Sequence, residues 1–115
     1  MDKRQYLEIL SDTGLITIIR ADSPDQLEEV AVALKEGGAR FIEVTMTTPG
    51  ALSIIEAASK KLKDVVLGVG SVLDPQTARA AILAGAEFIV SPTLNVDVIT
   101  LCNRYSKLVI PGAFT

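Results

Sequence analysis

Apolar residues gather in five short runs. They lie at residues 15–20 (LITIIR), 41–45 (FIEVT), 65–70 (VVLGVG), 88–91 (FIVS) and 108–112 (LVIPG). Each run is rich in Val and Ile and nearly continuous in apolarity. That is the pattern of strands in a parallel sheet covered on both faces. The stretches between them carry helix start signals. Ser23-Pro24-Asp25-Gln26 pairs an N-cap serine with proline at the first helical position and a glutamine three residues after the cap. Thr48-Pro49 and Asp74-Pro75 repeat the cap-then-proline arrangement, and Asn95 starts a helix expected to run to about Tyr105. Gly37-Gly38 and Gly85 supply stops. A short helix over about residues 3–10 precedes the first strand.

The cap–proline pairs begin at Ser23, Thr48 and Asp74, a near-constant spacing that marks a repeating unit. Gly38-Ala39-Arg40-Phe41-Ile42 is echoed about two units later as Gly85-Ala86-Glu87-Phe88-Ile89. Regular β-α units of this length predict a parallel α/β fold. Two architectures fit. One is a five-stranded, doubly wound, flavodoxin-like sheet, with strand order 2-1-3-4-5. The other is a (β/α)8 TIM-type barrel, which needs roughly 200 residues or more. On that reading residues 1–115 form a single partial barrel domain, truncated after strand five, with a short N-terminal helix. The ending favours it, because no helix follows Pro111-Gly112. A receiver domain would show acidic residues after strand one and a lysine after strand five; strand one here ends in Arg20.

Composition narrows the chemistry. The 115 residues are 49% apolar and 22% charged, with a net charge of −3. An acidic chain with 4% aromatics is a poor nucleic-acid binder. There is no histidine, which excludes Ser-His-Asp triads and His-ligated zinc within the chain. One cysteine, Cys102, leaves no internal disulfide and no four-cysteine metal site. No metal or cofactor is expected. No apolar run approaches a membrane span, residues 1–6 lack a signal core, and a cytoplasmic location is expected.

Ligands of parallel α/β folds bind at the carboxyl ends of the strands. Glu43 stands out because it interrupts an apolar strand. A carboxylate there must be paired, hydrogen-bonded or raised in pKa. It is read either as an acid–base group or as the partner of Arg20 in a structural ion pair. Arg20 suits a substrate carboxylate or phosphate, or simply neutralises Glu43. Gly68-Val69-Gly70 either admits a ligand close to the backbone or allows tight strand–helix packing; Leu73 stands where GxGxxG needs its third glycine. The hydroxyls of Thr47, Ser71, Ser91 and Thr93 are individually ordinary turn residues. Cys102 reads as core, and Lys60, Lys61 and Lys63 as a solvated helix end. All six lysines are expected in helices or just before strands, away from Glu43.

Taken together, Arg20-Ala21-Asp22-Ser23, Gly37-Gly38, Ile42-Glu43-Val44-Thr45, Gly68-Val69-Gly70-Ser71-Val72-Leu73, Gly85-Ala86, Phe88-Ile89-Val90-Ser91-Pro92 and Ile110-Pro111-Gly112 occur in order and at matching intervals. The chain resembles the 2-keto-3-deoxy-6-phosphogluconate / 4-hydroxy-2-oxoglutarate aldolase family over about residues 6–115. The resemblance covers the first half or slightly more of a family member. It implies a (β/α)8 barrel, usually a homotrimer, and a class I Schiff-base aldolase of carbohydrate metabolism. Such a lyase releases pyruvate and an aldehyde from a small keto-acid substrate. It also implies that Glu43 shuttles protons, that Ser71 stands in for a threonine lining the pyruvate pocket, and that Pro92 and Pro111 flank that pocket. Arg20 matches a basic position at the end of strand one. Thr47 stands where many members carry a carboxylate-binding arginine. The family's Schiff-base lysine belongs to strand six, and its phosphate loops follow strands seven and eight. The 115-residue chain by itself is therefore expected to be inactive. The different-class alternative is a non-catalytic half-barrel that assembles with itself or binds small anions.

Overall fold

A computed structural model describes residues 1–115. Helices and strands alternate along the chain: α1 (Lys3–Thr13), β1 (Ile16–Ile19), α2 (Pro24–Glu36), β2 (Phe41–Thr45), α3 (Ala51–Lys61), β3 (Val66–Gly70), α4 (Pro75–Ala84), β4 (Phe88–Ser91), α5 (Val96–Arg104) and β5 (Leu108–Pro111). The five strands form one parallel sheet in the order β1-β2-β3-β4-β5. Sequential order overturns the flavodoxin-like alternative, which requires β1 inside the sheet. It is the order of successive units of a (β/α)8 barrel.

The helix starts follow the expected chemistry at three of four sites. The Ser23 hydroxyl accepts from the Gln26 N–H, and the Gln26 side chain accepts from the Asp22 N–H at 2.6 Å. Asp74 accepts from the Thr77 N–H at 2.7 Å, and Asn95 from the Asp97 and Val98 N–H groups. Thr48-Pro49 is the exception. Helix α3 starts later, with left-handed Gly50 as a cap that offers no side chain. The reason is local: Thr48 is buried and its hydroxyl lies 3.3 Å from that of Thr45, so it holds the turn after β2 instead. Helix α1 runs on to Thr13, beyond the expected end near Leu10. An Asp2–Gln5 capping box opens it and left-handed Gly14 closes it.

Strand alternation sorts the sheet into two faces. On one face Ile42, Val44, Leu67, Val69 and Ile89 pack with Leu27, Ala31, Ile55, Ala58, Ala78 and Val98 of the helices. On the other, Phe41, Val66, Phe88 and Leu108 form a smaller cluster, floored by Tyr6, Ile9 and Leu10 of α1. The Phe41 and Phe88 rings meet there with centroids 5.3 Å apart, tilted by 47°. Both rings are fully buried, each contributing about 1.5–3 kcal/mol. This second face is the inner face of a barrel. By alternation from Phe41 it also carries Glu43 and Thr45. Thus α1 closes the amino ends of the strands, while the carboxyl ends stay open.

Candidate active site

Glu43 lies on the inner face of β2, with 5% of its surface exposed. It is in register with Ile18 of β1 and Gly68 of β3. The ion pair with Arg20 does not form: the ion pairs of the chain all lie elsewhere. Arg20 sits exposed just past the end of β1. Burial, with no neighbouring charge or hydrogen bond to offset it, pushes the Glu43 pKa above its ordinary value. A carboxyl group whose proton affinity is raised in this way is suited to exchanging a proton with a bound ligand.

The glycines of β3 do not serve the strand–helix packing expected of them as one alternative. A side chain at Gly68 would overlap the Phe88 ring, and one at Gly70 would overlap the Glu43 carboxyl group. Their bare backbone makes room for two side chains of the inner face, not for a helix. Ser71 follows directly, in a left-handed conformation with φ 57°. That conformation costs a non-glycine residue of order 1 kcal/mol.

Arg20 and Thr47 come together. With Ala21, Asp22, Thr48 and Pro49 they line an open groove of about 420 Å³ between the ends of β1 and β2. The Thr47 hydroxyl is 2.8 Å from that of Thr45, which belongs to the same face as Glu43. Pro92 lies apart, in a groove of about 440 Å³ with Thr93, Leu94, Gly112 and Phe114. Pro111 lines neither groove; it pairs in register with Ser91. The Ser91 hydroxyl is used within its own turn, donating to the Thr93 carbonyl at 2.9 Å. Sequence reasoning singles out neither the Thr45–Thr47–Thr48 hydroxyl cluster nor the Gly70 seat. Alternation alone would have put Thr45 beside Glu43 and both glycines on one face of β3.

The lysines are far from this end of the sheet. Lys3 donates to Asn103, Lys35 pairs with Asp64, and Lys107 pairs with Glu87 at 2.6 Å, just ahead of β5. Lys60 and Lys61 pair with Glu56, Asp25 and Glu28, and Lys63 caps a carbonyl of α3. Near Lys107, burial and the adjacent Glu87 carboxylate push the Tyr6 phenol up to about 12. Cys102 is fully buried in the helix-side core, and burial raises its pKa. No group of His, Cys, Asp and Glu side chains could hold a metal ion. No helix is long and apolar enough to cross a membrane.

Comparison with known proteins agrees with this architecture. The family described as "Aldolase: KDPG and KHG aldolase" matches residues 7–115. A 2-dehydro-3-deoxy-phosphogluconate aldolase of Treponema pallidum is 36% identical over 105 residues, covering 91% of this chain and 50% of the relative. The KHG/KDPG aldolase of Escherichia coli K12 is 32% identical over 107 residues, covering 93% and 50%. A crystal structure of the KDPG aldolase from Legionella pneumophila, with pyruvate captured at low pH as a covalent carbinolamine intermediate, superposes with a TM-score of 0.83 at 26% identity. It covers 93% of this chain and 52% of that one. The chain thus spans about half the length of the curated relatives it matches. With a parallel sheet in sequential order and a family match over nearly all of its residues, the chain belongs to the KDPG and KHG aldolase family.

Proposed function

We propose that this chain supplies the acid–base half of a class I aldolase acting on a 2-keto-3-deoxy sugar acid, phosphorylated or not, or on 4-hydroxy-2-oxoglutarate. The observation that carries the reading is Glu43: a buried, unpaired carboxyl group at the open end of the inner face. In such a reaction a lysine amine condenses with the substrate ketone and expels water. As carboxylate, Glu43 takes the proton of the C4 hydroxyl. The C3–C4 bond breaks, the aldehyde leaves, and its electron pair is held as the enamine. Glu43 then returns the proton to C3, and water releases pyruvate from the lysine. Arg20 and Thr47, sharing one groove, are the groups for the substrate carboxylate, and Ser71, Pro92 and Pro111, at the carboxyl ends of β3, β4 and β5, are carried over from the family's keto-acid pocket. The lysine itself is assigned to residues outside this chain, because all six lysines here are engaged or placed away from Glu43.

Treatment with pyruvate and borohydride, followed by intact-mass and peptide analysis, tests this assignment. The 12.2 kDa chain should show no reduced pyruvyl adduct. An adduct on any lysine within residues 1–115 would overturn it.

A second reading has its own observation. Strands β1 and β5 are the free edges of the sheet, and the inner face exposes Ile18 beside one of them. On this reading copies of the chain associate through that face, a contact different from the cytoplasmic trimer of whole barrels that the family implies. A monodisperse 12.2 kDa monomer would count against it.

A further inference from the structure

Strand β3 places Val66, Gly68 and Gly70 in succession on the inner face, between the Val and Leu residues that face the helices. Neither glycine has a positive φ, so backbone freedom does not explain them. Space does. The three atoms nearest to a methyl group built on Gly68 all belong to the Phe88 ring, and those nearest to one on Gly70 all belong to the Glu43 side chain. The two positions are about 6.6 Å apart along the strand. They are adjacent cells of one face, one filled by an aromatic ring and the other by a carboxyl group.

We infer that Gly70 is a positioning residue for Glu43: its missing side chain is the seat that holds the carboxyl group down against β3, largely shielded from water and at the open end of the sheet. Gly68 does the same for Phe88, whose ring fills the neighbouring cell below. The carboxyl group therefore lies against backbone on one side, with no charged partner on its own strand, on β3 or on β4. The one charged residue at its end of the inner face is Arg20, beyond β1, and it is exposed and unpaired. Burial without a partner is what raises the proton affinity of Glu43. The inference takes its catalytic meaning from the proposed acid–base role, but its geometry stands without it.

Glu43 can be titrated directly, by carbon NMR of the glutamate side-chain carboxyls, with Glu43→Gln identifying the signal. In Gly70→Ala the added methyl lifts the carboxyl group into solvent, and its midpoint should fall toward that of an ordinary glutamate. An unchanged midpoint in folded Gly70→Ala would overturn the inference. If Gly70→Ala does not fold, Glu43→Ala/Gly70→Ala decides. Truncating Glu43 empties the seat, so the double variant should fold where the single one fails. Failure of both would show that Gly70 makes room for something other than Glu43. Neither readout depends on pyruvate chemistry, so the borohydride result and this one can fail separately.

Discussion

Ile18 and Glu43 are partners in the β1–β2 register, yet the isoleucine is 61% exposed and the glutamate 5%. Their side chains belong to the same face. The difference is what lies on the far side of each strand. Glu43 leans over Gly70 of β3, whereas β1 has no neighbour beyond it. The inner face is thus closed on the β3 side and open on the β1 side.

That openness predicts association. An exposed apolar side chain on an unpaired edge favours burial against another chain. The wild-type chain should sediment above 12.2 kDa, and Ile18→Asp should shift it toward monomer without loss of helical signal. Identical masses for both would show that this face is not an interface.

Replacing Glu43 by glutamine should alter the dependence of stability on pH. The unfolded glutamate titrates near pKa ~4.3, and the folded one above its ordinary value. As pH rises through this interval, the unfolded chain releases its proton before the folded one does. Stability contributed by Glu43 is therefore present at low pH and lost as pH climbs toward the folded pKa. Asp64 and Asp74, both lowered by their hydrogen bonds, act in the opposite sense, so the difference between wild type and Glu43→Gln is the quantity to measure. Urea unfolding should find the variant gaining on wild type between acidic and neutral pH. A constant difference would contradict a raised Glu43.

Much of this is legible in the sequence. The five strands read to within a residue or two, because fully covered parallel strands are apolar runs and their loops carry Ser-Pro, Asp-Pro and Gly signals. Thr48 misleads because a threonine before proline looks like a cap whether its hydroxyl bonds to a helix N–H or, as here, lies against Thr45. Glu43 is visible as the one charge inside an apolar strand. Its lack of a partner is not, since Arg20 is close in the register of adjacent strands and only the side-chain path shows that it turns to solvent. The two glycines of β3 are ambiguous for a related reason. A glycine records that something comes close, not what comes close.

Arg20 and Thr47 give a test of the groove they share. Both are exposed, so Arg20→Ala should leave folding stability within about 0.5 kcal/mol. A hydrogen bond from a charged donor contributes about 1.5–3 kcal/mol. Binding of a keto-acid carboxylate, followed by calorimetry in an assembly that binds it, should weaken about 10- to 100-fold. Unchanged affinity would remove Arg20 from the site.

Cys102 should be silent. It is fully buried and its pKa is raised by that burial, which suppresses the reactive thiolate. A thiol reagent should label the native chain negligibly and the urea-unfolded chain with one equivalent. Rapid labelling under native conditions would show that α5 opens readily.

The most direct test of the central claim is the titration of the Glu43 carboxyl group in the wild-type chain, by carbon NMR with Glu43→Gln as the assignment control. A buried, unpaired acid over Gly70 predicts a midpoint above that of the chain's exposed glutamates. A midpoint at or below theirs would mean that Glu43 is solvated or paired, and the acid–base reading of this face would fail.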